Sequence, residues 1–205
     1  AGNTKLATKV PTGSTIQIED TTENILAAGD SISGLDITIS NATVANATAA
    51  LAGKAKSVTY ELTDTAANLA TAPVDVFSSA TKVISTSVAN SGQSVAIRNS
   101  INTSTKTASD NFLTLEVSDA ATLLANAVSG IQFADKVTAT GTATVAEAIA
   151  LYAANDATTY EISDQGSAVN AVIGVAASLN ALDSATKISL TGDVDIAQVT
   201  AINAA

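Results

Sequence analysis

The chain has 205 residues and 9 basic against 19 acidic side chains, giving a formal charge of -10 and a pI near 4.1. That balance excludes the basic footprint a nucleic acid requires, and 46% hydrophobic against 14% charged residues excludes a disordered chain. His, Cys, Met and Trp are all absent, which removes imidazole acid–base chemistry, thiol nucleophiles, thiolate metal sites and disulfides, and with 3% aromatics the core falls to Ala, Val, Ile and Leu.

The chain opens with a polar lead, residues 1–13, in which Lys5 and Lys9 are the only charges. No charged-then-apolar leader pattern and no apolar run of about 20 residues is present, so no transmembrane segment is predicted. A strand is predicted from Thr15 to Glu19. Asp20 and Glu23 follow with capping-box spacing at the start of a helix. A second strand centres on Ile37-Thr38-Ile39. Next comes Thr43-Val44-Ala45, a capping residue ahead of an apolar one.

The run Ser57 to Asp64 alternates cleanly, with Val58, Tyr60 and Leu62 on one side and Ser57, Thr59, Glu61 and Thr63 on the other. Period two of this kind marks a half-buried strand. Its closing motif recurs. Ile16-Gln17-Ile18-Glu19-Asp20, Tyr60-Glu61-Leu62-Thr63-Asp64, Leu115-Glu116-Val117-Ser118-Asp119 and Tyr160-Glu161-Ile162-Ser163-Asp164 all read apolar, polar, apolar, polar, Asp. Two further series interleave with it. One is Ile37-Thr38-Ile39, Val83-Ile84-Ser85, Val137-Thr138-Ala139 and Ile188-Ser189-Leu190, preceded in the last three cases by Lys82, Lys136 and Lys187. The other is Thr43-Val44-Ala45, Ser94-Val95-Ala96, Thr144-Val145-Ala146 and Asp195-Ile196-Ala197. The repeat is about 45 residues long, with an insertion placed within Ser100 to Asp110, a Ser/Thr/Asn-rich stretch that reads as a loop.

Helical stripes follow the motif Asp residues: Leu123, Leu124, Ala127, Val128 and Ile131 after Asp119, and Val169, Val172, Ile173 and Ala176 after Asp164. The Asp is placed as N-cap of the helix that follows it. Val145, Ala148, Ile149 and Tyr152 form a second helix with Thr144 as its cap. Strand–helix alternation with one apolar strand face predicts an α/β fold, an open right-handed solenoid (LRR-like) with a one-sided parallel sheet and helices on the other face. Its repeats are placed at 14–56, 57–111, 112–156 and 157–205. A β-solenoid with helical decoration is the alternative, disfavoured by the Ala content.

Tyr60-Glu61-Leu62-Thr63-Asp64-Thr65-Ala66-Ala67-Asn68-Leu69-Ala70 and Tyr160-Glu161-Ile162-Ser163-Asp164 resemble the Ala/Asp/Thr-rich repeats of very large secreted bacterial surface proteins, which occur beside calcium-binding RTX segments and leave the cell by type I secretion. The resemblance implies an extracellular, cell-surface location, to which the absence of Cys also points. The RTX nonapeptide Gly-Gly-x-Gly-x-Asp is itself absent.

If strand order follows sequence, the exposed face carries Gln17, Thr38, Glu61, Ile84, Glu116, Thr138, Glu161 and Ser189 in successive strands. Glu61, Glu116 and Glu161 are then candidate ligand contacts, for a glycan or for Ca²⁺. Carboxylates on alternate strands stand roughly 10 Å apart, too far for one ion to bridge, so a solvated acidic face is the plainer reading. Asp193 and Asp195 resemble a Ca²⁺ loop, but Thr142 and Thr144 occupy the matching positions and point to turn and cap duty. Lys82, Lys136 and Lys187 are assigned to helix C-termini and neighbouring Asp residues. Asn41, Asn46 and Asn102 head sequons, which matter only on a glycosylating export route.

No nucleophile elbow, Ser-x-x-Lys pair or phosphate-cradling Gly loop is present, and only a carboxylate pair of the glycosidase kind remains open to an enzyme. The expectation is a non-catalytic structural repeat protein that assembles head to tail into a surface filament, sheath or layer, or forms a segment of a longer solenoid. Its end contacts are Ile16, Ile18, Ile196, Val199 and Ile202, its partners copies of itself or adjacent repeats. The alternative is an adhesin module.

Overall fold

A computed structural model describes residues 17–20, 22–28, 33–53, 55, 57–109, 112–197 and 199–200. The lead 1–13, Ile16 and Ile202 lie outside them. The chain divides into two compact units, one formed by 1–86 with 99–113, the other by 87–98 with 114–205.

The first unit runs β1 (Gln17–Asp20), α1 (Thr22–Ala28), β2 (Asp36–Ala42), α2 (Val44–Leu51), β3 (Ser57–Asp64), α3 (Ala66–Ala70), α4 (Val74–Ser79) and β4 (Ala80–Ser85). Helix α5 (Ser91–Thr103) contributes residues to both units. Strand β5 (Leu113–Thr114) joins the first sheet beside β4, and the stretch from Ser100, expected as a loop, begins with the last residues of α5. The second unit continues with β6 (Glu116–Ala120), α6 (Ala121–Asn126), α7 (Val128–Ile131), β7 (Lys136–Ala143), α8 (Val145–Ala154), β8 (Thr158–Gln165), α9 (Gly166–Val172), α10 (Ala176–Asp183) and β9 (Lys187–Thr191).

The strand order is β1-β2-β3-β4-β5 in one sheet and β6-β7-β8-β9 in the other, and every pair whose register is described is parallel. Each order follows the sequence without reversal, so neither sheet has the switch point at which doubly wound sheets open a ligand crevice. The α/β class, the parallel pairing and the sequential order within each sheet agree with the sequence pattern, but the one sheet expected is two, divided between β5 and β6.

One strand face is buried in each sheet. Ile37, Ile39, Val58, Tyr60, Leu62 and Val83 fill the inner face of the first; Val117, Val137, Tyr160 and Ile162 fill that of the second. Helices cover them with Ala47, Ala50, Leu69, Val76 and Phe77 in one unit and Leu124, Ala148, Leu151, Val169 and Ala181 in the other. The short alanine side chains let the helix backbone approach the sheet closely. Both core tyrosines spend their hydroxyls on helix carbonyls, Tyr60 Oη donating to Val76 O and Tyr160 Oη to Ala181 O, each at 2.7 Å. A buried phenol without such an acceptor costs about 1–3 kcal/mol.

Several expectations need correction. The stripe after Asp119 is two helices with a break at Ala127, and Leu123 points outward while Leu124 and Ile131 are buried. The stripe after Asp164 likewise breaks at Ile173 and Gly174. In α8 the core position is Leu151 instead of Tyr152. Ser94 is not a cap: it lies inside α5, fully buried, and donates its hydroxyl to Gly130 O. The cap is Asn90, which exchanges hydrogen bonds with Gln93 at 2.8 and 3.0 Å. The described capping box of the Thr/Glu kind is Thr144 with Glu147, while the described bond at Asp20 comes from Asn24 Nδ2.

Candidate functional site

The exposed sheet face differs from the expected row. Thr38 stands opposite Glu19 and Thr59, Ile84 opposite Thr63, Thr138 opposite Ser118 and Ser189 opposite Ser163. The three glutamates face lysines instead: Glu61 opposite Lys82, Glu116 opposite Lys136 and Glu161 opposite Lys187. The lysines therefore belong to the sheet, not to helix C-termini, and no described helix carries a basic residue in its last turn where that turn is characterised. Opposite charges on directly paired positions stabilise a sheet by about 0.2–1 kcal/mol and penalise a slipped register. Among the described residues no three acidic side chains gather closely enough to hold a metal ion.

The residue before each lysine hooks the preceding strand. Thr81 Oγ1 donates to Tyr60 O and Thr186 Oγ1 to Tyr160 O, both at 3.0 Å, and Asp135 Oδ2 accepts from Leu115 N–H at 2.7 Å. The repeat is thus a repeat of hydrogen bonds as much as of letters.

The motif aspartates do something the sequence pattern did not reveal. Three of the four, Asp64, Asp119 and Asp164, use one oxygen on the backbone just after them. Asp64 Oδ1 accepts from Thr65 N–H, Asp119 Oδ1 from Ala120 N–H and Asp164 Oδ1 from Gln165 N–H, all at 2.8 Å. The other oxygen reaches the first residue of the helix one half-repeat earlier: Asp64 Oδ2 to Val44 N–H at 2.9 Å, Asp119 Oδ2 to Ser91 N–H at 3.1 Å and Asp164 Oδ2 to Val145 N–H at 3.0 Å. So the Asp caps the preceding helix across the strand joint, correcting its assignment to the following one. A carboxylate at this place also meets the positive end of the helix dipole. Ser91 Oγ adds a third bond to Asp119, at 2.7 Å. The Ser91 hydroxyl and N–H hold the Asp119 carboxyl below the usual carboxylate range. At Asp64 partial burial pulls upward, but bonds from Asn68, Val44 and Thr65 prevail and leave it lowered.

Strand joints of this type contain bulges. β2 gains one residue between Ile39 and Ala42 against Tyr60–Leu62, and β7 gains two between Thr138 and Thr142 against Thr159–Glu161. Gly141, at φ 71°, turns the β7 bulge, and Gly192, five residues after Lys187 as Gly141 is after Lys136, has the same backbone at φ 73°. A left-handed backbone suits glycine, which has no Cβ to clash. Asp193 and Asp195 follow that turn. Asp195 occupies the Thr144 position and its carbonyl accepts from Val199 N–H at 3.1 Å, which fits turn and cap duty.

Among the described residues β9 is one edge of the second sheet, β6 being the other. Its flank carries Ile188 at 36%, Ile196 at 85% and Val199 at 50% exposure, where the corresponding Val137 and Val145 are buried. Two of the expected end contacts, Ile196 and Val199, are thus exposed apolar groups. Ile18 pairs in register with Ile37.

In the first unit a cleft of about 500 Å³ lies at the ends of β2 and β3, lined by Glu23, Ser40, Asn41, Thr43, Asn46 and Thr63 among others. Among the described residues Glu23 is the one carboxylate lining it, so they form no acid pair of the glycosidase kind there. At the matching positions of the second unit, Thr122 Oγ1 donates to Glu147 Oε1 at 2.7 Å. Burial raises the Glu147 carboxyl, but the Thr122 and Thr144 bonds outweigh it and hold it below its usual range. Two sequon residues, Asn41 and Asn46, sit in the cleft. Asn41 Oδ1 accepts from Thr63 Oγ1 at 3.1 Å, and Asn102 Oδ1 from Ala108 N–H at 3.5 Å. No described helix is long and apolar enough to cross a membrane. Comparison with known proteins finds no matching family model, no similar curated protein and no matching solved structure.

Proposed function

We propose that the chain is a non-catalytic structural repeat module of a bacterial surface protein, located outside the cell. Its finer architecture is an open right-handed α/β solenoid of the LRR kind, built to add parallel strands one after another. The module joins either to a further repeat or, head to tail, to another copy of itself, forming a filament, sheath or layer. The observation that carries this reading is the β9 edge, where Ile188, Ile196 and Val199 are exposed while their equivalents Val137, Val145 and Ala148, beside a strand that has a neighbour on each side, are buried. An unpaired strand edge beside an apolar flank is a template for strand addition. The composition supports a location outside the cell: no Cys, an acidic surface and abundant Thr, Ser, Asn and Ala.

The adhesin alternative draws no support from the register, since Glu61, Glu116 and Glu161 each stand opposite a lysine that offsets the charge a cation would need. Electron microscopy of the concentrated chain tests the proposal. Lengthwise arrays are expected, and isolated particles at every concentration refute the head-to-tail reading.

A further inference from the structure

Resting on the proposed head-to-tail reading, we infer that the occupant of the β9 edge is strand β1 of a second copy, added in parallel with Gln17 opposite Asp193 and Ile18 opposite Val194. The chain contains this joint already. In the β7/β8 pair, Thr142 stands opposite Glu161 and Ala143 opposite Ile162. The stretch from Lys136 to Val145 aligns without a gap on Lys187 to Ile196, its bulge glycine included, which places Asp193 at the Thr142 position and Val194 at that of Ala143. The motif in turn aligns Gln17 on Glu161, Ile18 on Ile162 and Asp20 on Asp164.

The same transfer carries the Asp bridge with it. Asp164 caps Val145 N–H across the β7/β8 joint, as Asp64 caps Val44 N–H across β2/β3. In the intermolecular joint Asp20 of one copy reaches Ile196 N–H of the next. Asp20 is positioned as Asp64 is: Asn24 Nδ2 donates to Asp20 Oδ1 at 2.8 Å, as Asn68 Nδ2 donates to Asp64 Oδ1 at 2.8 Å. Closing the joint also covers Ile188 and Ile196, which are exposed here where their equivalents Val137 and Val145 are buried.

The chain has no cysteine, so a cross-link reports register cleanly. Paired parallel strands lie about 4.8 Å apart, within the roughly 4.4–6.8 Å Cα separation that a disulfide spans. The full chain carrying Gln17→Cys is mixed with the full chain carrying Asp193→Cys under mild oxidation. A mixed disulfide dimer is expected, and none when Lys187→Cys replaces Asp193→Cys. In a second arm Asp20→Ala is expected to weaken self-association about tenfold, while Asp20→Asn, which keeps a capping oxygen, stays near the native value. Association of the native chain without the Gln17–Asp193 cross-link, or one indifferent to Asp20→Ala, overturns this joint and leaves the assembly reading standing. A native chain that does not associate at all overturns both.

Discussion

Asp119 and Glu116 lie three residues apart in one strand and should behave very differently on replacement by alanine. Asp119 accepts from Ser91 N–H, Ser91 Oγ and Ala120 N–H. Ser91 is buried, so Asp119→Ala leaves its hydroxyl and its N–H short of an acceptor in a place water reaches poorly. An unmet buried polar group costs about 1–3 kcal/mol and a lost helix cap about 0.5–2 kcal/mol; with the two overlapping, the expected loss is about 2–3 kcal/mol. Glu116 is exposed and stands opposite Lys136, so Glu116→Ala should cost about 0.5 kcal/mol or less. Urea unfolding measures both, and amide exchange at Ser91 should accelerate in Asp119→Ala alone. The sign of the pH dependence gives a second check. The Asp119 carboxyl is lowered in the folded chain, so its contribution is full above the unfolded value near 3.9 and is lost as pH falls through the folded value. The gap between native and Asp119→Ala chains should narrow below about pH 4. Equal losses for the two alanine variants, or a gap unchanged down to pH 2, would refute the bridging role.

Burial pushes the Tyr160 phenol up to about 12, aided by Tyr152, and pushes Tyr60 further still. Both favour the neutral form, so stability should fall as pH rises beyond about 10, and Tyr160→Phe should flatten part of that loss while costing about 1 kcal/mol at neutral pH. Among glycines, a Cβ on Gly130 would stand 2.8 Å from both Val95 Cγ2 and Val95 N, whereas one on Gly141 meets nothing within 4 Å. Gly130→Ala should therefore cost several kcal/mol by overpacking, and Gly141→Ala about 1–2 kcal/mol from its left-handed backbone alone, as denaturant unfolding will show. Reversing one member of a charged pair, Glu61→Lys or Lys82→Glu, should destabilise by a few tenths of a kcal/mol, and the double reversal should recover most of it in a double-mutant cycle.

Much of the fold was legible because the repeat encodes it locally. Period-two alternation at Ser57 to Asp64 places β3 to the residue, and the Thr144 cap places the start of α8. What stayed hidden depends on pairs distant in sequence. The Asp64–Val44 bridge spans 20 positions, and nothing at Asp64 alone distinguishes reaching back from capping forward. The Glu–Lys opposition was concealed by register: a shift of two residues keeps every side chain on its face but exchanges its neighbour, so alternation cannot detect it. Ser94 misled because Ser-Val-Ala resembles Thr-Val-Ala, whereas the true equivalent, Asn90-Ser91-Gly92, preserves the hydrogen bonds and not the letters. The aligned series of lysines at 82, 136 and 187 beside glutamates at 61, 116 and 161 was the available signal for the charged ladder.

Sedimentation velocity across a wide range of concentration, on the native chain beside a variant carrying both Ile196→Asp and Val199→Asp, addresses the open β9 edge directly. The native chain should shift from the 20.3 kDa monomer to progressively larger species as concentration rises, while the double variant remains monomeric. A single 20.3 kDa boundary for the native chain throughout, or equal growth of the two proteins, would contradict the account.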